Sequence, residues 1–148
     1  MKLLMKICYD GGAYCGFQKQ PNGVSVQEVL TTAGTRLLGF PCAVTGCSRT
    51  DSGVHALGFC ATLEPRDPAK LAGRWCPIPA AKLHRALNPL LPEDISVMAT
   101  AEVDDAFHAR YNVVGKTYEY RISDAPARDP FLRGRAYHAP RRISESTK

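Results

Sequence analysis

The chain has 148 residues, 45% of them hydrophobic, with 19 lysines and arginines against 14 acidic residues. This composition predicts a globular domain with its own core and excludes a disordered chain. No apolar run approaches the ~20 residues of a membrane span, the start lacks a secretion signal, and the net charge of +5 mildly favours a polyanionic partner.

The first half of the chain alternates between strand-like and helix-like patterns. Residues 3–9 carry apolar side chains at every second position, which predicts a strand ending at Asp10. Ser25 and Glu28 have the spacing of a capping box, and apolar residues then recur at helical intervals up to Gly39. We therefore predict a helix over residues 25–38, followed by strands over residues 42–47 and 57–63.

The next elements complete a recognisable order. A surface loop rich in proline, arginine and glycine is predicted over residues 65–78, and a second helix over residues 79–88, with Pro79 in its first turn. Residues 95–103 predict another strand. The order strand, helix, strand, strand, helix, strand indicates an α+β fold with a ferredoxin-like β-α-β-β-α-β unit. We expect this unit to form an amino-terminal catalytic subdomain over residues 1–104.

A further strand pattern follows, over residues 107–111 and 117–122, with Gly115 as a possible bulge between its two parts. In this pattern Tyr118, Tyr120 and Ile122 share one face. Only about 40 residues remain after residue 104, whereas a second unit of the same kind needs about a hundred. Residues 105–148 are therefore expected to hold the first strand of a second, incomplete similar unit, in an amino-terminal fragment of a larger two-part protein.

The most informative segment lies between two predicted strands and reads R-T-D-S-G-V-H-A, residues 49–56. Asp51 is followed at once by Ser52 and Gly53, which are typical of a tight turn. An aspartate in an arbitrary turn usually caps backbone N–H groups. Arg49 is close enough in sequence to pair with Asp51 or with an anionic substrate.

With its flanks, this segment closely resembles the central motif of the tRNA pseudouridine synthase A family, in which an R-T-D-x-G-V-H segment carries the catalytic aspartate. The segment F-H-A-R at 107–110, followed by Tyr118, resembles the family's second motif. Residues 9–20 resemble the first motif, with Phe17 where the family has tryptophan. Cys47 and Ser48 stand where the family usually has alanine and glycine. The resemblance extends to about residue 140.

The resemblance implies an enzyme that isomerises uridine to pseudouridine in the anticodon arm of tRNA, without a metal or organic cofactor. Asp51 would be the catalytic carboxylate, and attack on the sugar, attack on the base and abstraction of the 2′ hydrogen all remain open. Arg49 would displace the target base and orient the aspartate. Tyr118 would stack against the flipped uracil. The implied partner is tRNA, with no membrane, and the full-length protein would be a homodimer.

Family members have a carboxy-terminal half that completes the active-site cleft, so this chain alone is expected to be inactive. One alternative is a non-enzymatic ferredoxin-like RNA-binding module, although the aromatic signature of RNA-recognition motifs is missing. Another is an acylphosphatase-like hydrolase, which would need a phosphate-cradling loop with an arginine after the first strand; residues 10–16 contain no arginine. The fold cannot choose among these functions, whereas the Asp51 motif favours the synthase.

The cysteines, the histidines and the remaining polar residues predict no metal or redox site of their own. The six cysteines include no C-x-x-C pair, so a zinc ribbon or thioredoxin-type motif is absent, and the lack of a secretion signal predicts reduced thiols in a cytoplasm. His55 and His108 lack metal-ligand spacing and are interpreted as structural, and Gln18 and Lys19 are expected near the RNA backbone. A cluster of cations forms either a solvated tail or an electrostatic contact with RNA: Arg128, Arg133, Arg135, Arg141 and Arg142.

Overall fold

The structure, a computed structural model, describes residues 1–71 and 75–141. The chain divides into two compact units, Met1–Val113 and Val114–Lys148. The first unit contains a four-stranded sheet and two α-helices. Its elements, in chain order, are β1 (Lys2–Tyr9), α1 (Val26–Leu38), β2 (Cys42–Gly46), β3 (Ala56–Pro65), α2 (Leu83–Leu87) and β4 (Ile95–Val103).

The strands of the first unit pair antiparallel in the order β2-β3-β1-β4. Every second residue of β1 is buried, as the alternating sequence requires. The buried side chains of β1 and β3 pack with the apolar face of α1 into one core, which contains Leu3, Met5, Ile7, Leu30 and Leu63. This α+β arrangement is compatible with the predicted ferredoxin-like unit.

Helix α1 follows its sequence signals closely. The Ser25 hydroxyl accepts a hydrogen bond from the Glu28 amide at 3.2 Å, which satisfies an N–H group that has no partner within the helix. Gly39 ends the helix in the left-handed conformation at φ 77°, where a side chain would be strained. The predicted helix over residues 25–38 is therefore confirmed, with Ser25 as its cap.

The second predicted helix is shorter than expected. Only Leu83–Leu87 is α-helical, and 3₁₀ turns flank it at Ala80–Lys82 and Asn88–Leu90. Pro89 accounts for the carboxyl end of the helix, because proline lacks the N–H group that would continue it, whereas most of the shortening is at the amino end, where the 3₁₀ turn replaces the predicted first turn. The loop before α2 also departs from the surface loop predicted over residues 65–78, since Cys76 is fully buried in the core.

The strand predicted over residues 107–111 and 117–122 is wrong. Residues 105–111 form turns and residues 114–121 have no regular structure, so Gly115 is not a bulge in a strand. Ile122 belongs to the two-residue strand β5 (Ile122–Ser123), which pairs parallel with β6 (Tyr137–His138). The physical reason is that alternating apolar residues form a strand only where a neighbouring strand pairs with their backbone. In the part of the chain that the structure describes, residues 117–120 pair with no strand.

The second unit is a small assembly of turns around this ribbon. The β5-β6 pair continues on both sides through hydrogen bonds from the Tyr137 amide to the Arg121 carbonyl and from the Ala139 amide to the Ser123 carbonyl, both at 2.8 Å. A 3₁₀ turn at Pro130–Leu132 is capped by the Asp129 side chain. No helix in the part of the chain that the structure describes is long and apolar enough to cross a membrane.

Candidate active site

Asp51 lies in the connection between β2 and β3, in a stretch called here the Asp51 turn (residues 49–55). The Val54 amide donates to the Asp51 carbonyl at 3.2 Å, and Gly53 adopts φ 81°, the left-handed conformation that such a turn needs at its third position. Asp51 and Arg49 are both exposed. Neither side chain makes a hydrogen bond or ion pair with another described residue, so of the two alternatives for Arg49 the pair with Asp51 is not formed. The carboxylate is therefore open to a substrate.

The backbone of the Asp51 turn rests on the loop that follows β1, called here the first loop (residues 10–17). The Phe17 amide donates to the Thr50 carbonyl at 3.2 Å. The Tyr14 carbonyl accepts from the Gly53 amide at 3.3 Å and from the Ser52 hydroxyl at 3.2 Å. These three bonds hold the residues on both sides of Asp51, so its position is set by backbone contacts with the first loop.

Two glycines of the first loop allow this close approach. A Cβ atom on Gly11 would lie 2.0 Å from the Val54 carbonyl oxygen, and one on Gly16 would lie 2.4 Å from the Thr50 carbonyl oxygen. Gly16 also has φ 78°, which side chains rarely tolerate. The sequence interpretation of this loop as a support for Gln18 and Lys19 missed its packing against the Asp51 turn.

Aromatic side chains support both loops from the core. The ring of Phe17 lies 4.2 Å from that of Phe59 and 6.4 Å from that of Tyr9, measured between centroids. The Tyr9 hydroxyl is 2.8 Å from the Thr50 hydroxyl oxygen, and burial raises the pKa of Tyr9 above its ordinary value. Phe17, the departure from the family's tryptophan, is thus a core residue under the turn and is only 2% exposed.

Tyr14 links the first loop to the start of β4. Its hydroxyl donates to the Asp94 carboxylate at 2.5 Å, and the Asp10 amide donates to the Asp94 carbonyl at 2.9 Å. Burial, reinforced by the hydrogen bond and the charge of Asp94, raises the pKa of Tyr14 above its ordinary value. The protonated hydroxyl is the form that can donate, so the link is maintained across the neutral pH range.

His55 closes the other end of the Asp51 turn. Its Nδ1 atom lies 3.0 Å from the Gly11 amide nitrogen and 2.9 Å from Asp10 Oδ1. Both contacts reach the same nitrogen, so Gly11 donates to it when it is unprotonated and Asp10 accepts from it when it carries the proton. Either form ties His55 to the first loop, consistent with the structural interpretation of this histidine.

The chain is similar in sequence to proteins named tRNA pseudouridine synthase A. It is 44% identical over 132 residues to the protein of Akkermansia muciniphila, which is 89% of this chain and 47% of that protein. It is 42% identical to the Ruminiclostridium cellulolyticum protein, over 93% of this chain and 52% of that protein, and 38% identical to the Aquifex aeolicus protein, over 95% and 55%. No protein-family model matches the chain.

The chain belongs to the tRNA pseudouridine synthase A family. It spans about half the length of the curated relatives it matches. The resemblance inferred from the R-T-D-S-G-V-H segment is confirmed, and that segment is the exposed Asp51 turn.

Tyr118, the stacking residue that the family resemblance implies, lies in a stretch without regular structure. Tyr118 is in the second unit, outside any helix or strand, and is 66% exposed. The proposed face of Tyr118, Tyr120 and Ile122 is not a strand face, and all three side chains are exposed. A stacking role for Tyr118 therefore stays a prediction.

The remaining polar candidates of this family member are mostly at the surface. Gln18 and Lys19 are exposed, and Lys19 lies 3.7 Å from Glu28. Arg142 of the predicted cationic cluster lies outside the described residues. The other four members of the cluster are exposed: Arg128, Arg133, Arg135 and Arg141. Among residues 1–71 and 75–141, no group of three or more histidine, cysteine or acidic side chains could hold a metal ion.

Proposed function

We propose that this chain is the amino-terminal part of a tRNA pseudouridine synthase and supplies its catalytic carboxylate, Asp51. The observation that carries the proposal is the state of this side chain. It is exposed and has no partner among the described residues, yet backbone contacts with the first loop hold the turn on which it sits. Identities of 38–44% to proteins named tRNA pseudouridine synthase A supply the reaction.

The reaction needs few groups from the protein. The bond between C1′ of the ribose and N1 of uracil breaks, the base rotates, and C1′ bonds to C5, which loses its hydrogen as a proton while N1 gains one. A carboxylate can assist by attack on the sugar, by attack on the base or by removal of the 2′ hydrogen. Asp51 is the acidic residue of the turn and is accessible for each of these three roles.

Arg49 is proposed to act on the target base. Extrusion of a base from a stem costs a few kcal/mol of stacking and pairing. A planar guanidinium can fill the vacated space and contact phosphate. The exposed position of Arg49, two residues before Asp51 and without an ion-pair partner among the described residues, leaves it available for that contact.

The finer features come from the family resemblance. The proposed substrates are uridines in the anticodon arm of tRNA, the full-length protein is proposed to be a cytoplasmic homodimer, and no cofactor is required. The first subdomain, over residues 1–104, is proposed to be ferredoxin-like, with residues 105–148 belonging to a second subdomain. The element order and the strand order β2-β3-β1-β4 support the first assignment. Mapping of pseudouridines in tRNA after the reaction tests the substrate assignment.

The decisive experiment is a hybrid enzyme in which this chain replaces the matching segment of the Akkermansia muciniphila protein. Tritium release from C5-labelled tRNA is measured for the hybrid, its Asp51→Asn variant and the 148-residue chain alone. We expect turnover by the hybrid only, because asparagine keeps the shape of Asp51 but loses the charge, and the chain spans only half of its relatives.

The matched control is Asp67→Asn, which neutralises an exposed aspartate that pairs with Lys70 beyond β3. This variant should retain turnover, and Asp51→Asn should retain tRNA binding. Turnover by Asp51→Asn at the wild-type rate would remove Asp51 from the chemistry. A hybrid that binds tRNA without isomerising it would favour the RNA-binding module instead.

A further inference from the structure

The Asp51 carboxylate receives no direct support from any described side chain, so its position depends on the backbone of the turn. Tyr14 and Phe17 hold the middle of that turn through main-chain bonds to Gly53 and Thr50, and the Tyr14 carbonyl also accepts from the Ser52 hydroxyl. At its carboxyl end, Val54 presses against Gly11, where a Cβ atom would lie 2.0 Å from the Val54 carbonyl oxygen. This is the place where the carboxyl end of the turn meets the first loop.

His55 provides the side-chain contact at this place. Its Nδ1 lies within hydrogen-bond distance of Gly11 N and of Asp10 Oδ1. Asp10 is itself fixed, because its carboxylate accepts from the Gly12 amide at 3.0 Å and its amide donates to the Asp94 carbonyl at 2.9 Å. The contact therefore joins the end of the Asp51 turn to a loop anchored on β4.

We propose that His55, held by Asp10 and Gly11, is a positioning residue for Asp51, an inference that rests on the proposed synthase function. The side chains of His55 and Asp10 are 32% and 37% exposed. Partly exposed ion pairs contribute little to global stability. We expect the His55 contact to fix the position of the Asp51 carboxylate. A shift of about 1 Å at a reacting group can lower the rate on the order of 10²-fold.

The substitution series separates this role from proton transfer. His55→Asn places an amide near the position of Nδ1, where it can accept from Gly11 or donate to Asp10, but it cannot titrate. His55→Ala removes the contact altogether. If His55 positions the turn, asparagine rescues and alanine does not. The matched control is Thr35→Val, which removes another single side-chain bond to backbone, 3.1 Å from the Cys42 amide at the far end of β2.

The first measurement uses the 148-residue chain itself and follows amide hydrogen exchange at Gly53 and Val54. We expect His55→Ala to speed exchange at both amides by roughly tenfold, with His55→Asn and Thr35→Val close to wild type. Unchanged exchange in His55→Ala would overturn the proposal, whatever the chain catalyses.

The second measurement uses the hybrid enzyme. His55→Ala should lower kcat by roughly tenfold to a hundredfold with little change in KM for tRNA, and His55→Asn should restore most of kcat. Equal losses in His55→Asn and His55→Ala would assign the ring another role and overturn the proposal. A hybrid without turnover would contradict the proposed function, while the exchange data would still decide whether His55 holds the turn.

Discussion

Asp51 and Tyr118 belong to two motifs that resemble those of one family, yet the two residues lie in different kinds of structure. The Asp51 turn joins two paired strands and is bound to the first loop through Tyr14, Phe17 and His55. The stretch around Tyr118 has no regular structure, and Tyr118 is 66% exposed. The two motif residues therefore differ in the contacts that hold their backbone, and both roles stay predictions.

The difference teaches what an alternating apolar pattern requires. In β1, alternation coincides with pairing on both edges, to β3 and to β4, and the apolar side chains are buried. Around Tyr118 the same alternation meets no paired strand among the described residues, and the side chains stay exposed. A strand is stable because its backbone groups and apolar face both find partners.

The largest effect should come from breaking the support of Asp51 at Gly16. In the hybrid, Gly16→Ala should lower kcat on the order of 10²-fold, because the new methyl group would lie 2.4 Å from the Thr50 carbonyl oxygen and must push the turn away. Steady-state tritium release and thermal unfolding measure the two consequences.

Gly39→Ala is the matched control for Gly16→Ala. Gly39 has nearly the same φ, 77° against 78°, but a Cβ there meets nothing within 4 Å. Both variants suffer the left-handed strain of about 1–2 kcal/mol, whereas only Gly16→Ala should lose kcat. A similar loss of kcat in both would show that backbone strain alone, and not displacement of the turn, explains the effect.

Most of the first unit could be predicted because its signals are local. The capping box at Ser25, the stop at Gly39 and the turn at Gly53 each depend on residues that are close in sequence. The structure bears out all three of these local features. The Asp51 motif likewise could be found without the fold, since it is contiguous.

The support of the site could not be predicted because it joins distant segments. Gly11 meets Val54, and Asp10 meets His55, across more than forty residues. No periodicity reports such contacts, and the glycines of the first loop have several local explanations. The strand wrongly predicted over residues 107–111 and 117–122 has the converse cause, because its local pattern is present but residues 107–120 have no pairing partner in the described chain.

The stretch without regular structure around Tyr118 is tested by Tyr118→Leu in the hybrid. Stacking of a base on an aromatic ring contributes about 1–3 kcal/mol, so turnover should fall by about tenfold if Tyr118 stacks on the uracil. Tyr120→Leu is the control, since Tyr120 is a neighbouring tyrosine and 87% exposed. Wild-type turnover in Tyr118→Leu, or equal losses in both variants, would remove the specific stacking role.

Arg49→Ala separates base displacement from the positioning of Asp51. On a tRNA whose target uridine is paired, the hybrid should lose about tenfold in rate, because extrusion costs a few kcal/mol that the arginine helps to offset. On a substrate with an unpaired target, the loss should shrink to a few-fold. Single-turnover rates on the two substrates give the comparison, and equal losses on both would argue against a role in base displacement.

The smallest effect concerns stability, and it tests how firmly Tyr14 holds the first loop. Tyr14→Phe removes the hydroxyl bond to Asp94, so the free energy of unfolding at neutral pH should fall by about 1.5–3 kcal/mol. In the wild type the pKa of Tyr14 is raised from its ordinary value of 10.0, mainly by burial. Its contribution is complete below pH 10 and is lost as the pH rises toward the folded-state pKa, because the unfolded chain then releases the proton first. Urea unfolding from about pH 8 to about pH 11 should therefore show the gap between wild type and Tyr14→Phe closing as the pH increases, and a constant gap would mean that the pKa of Tyr14 is not raised in the folded state.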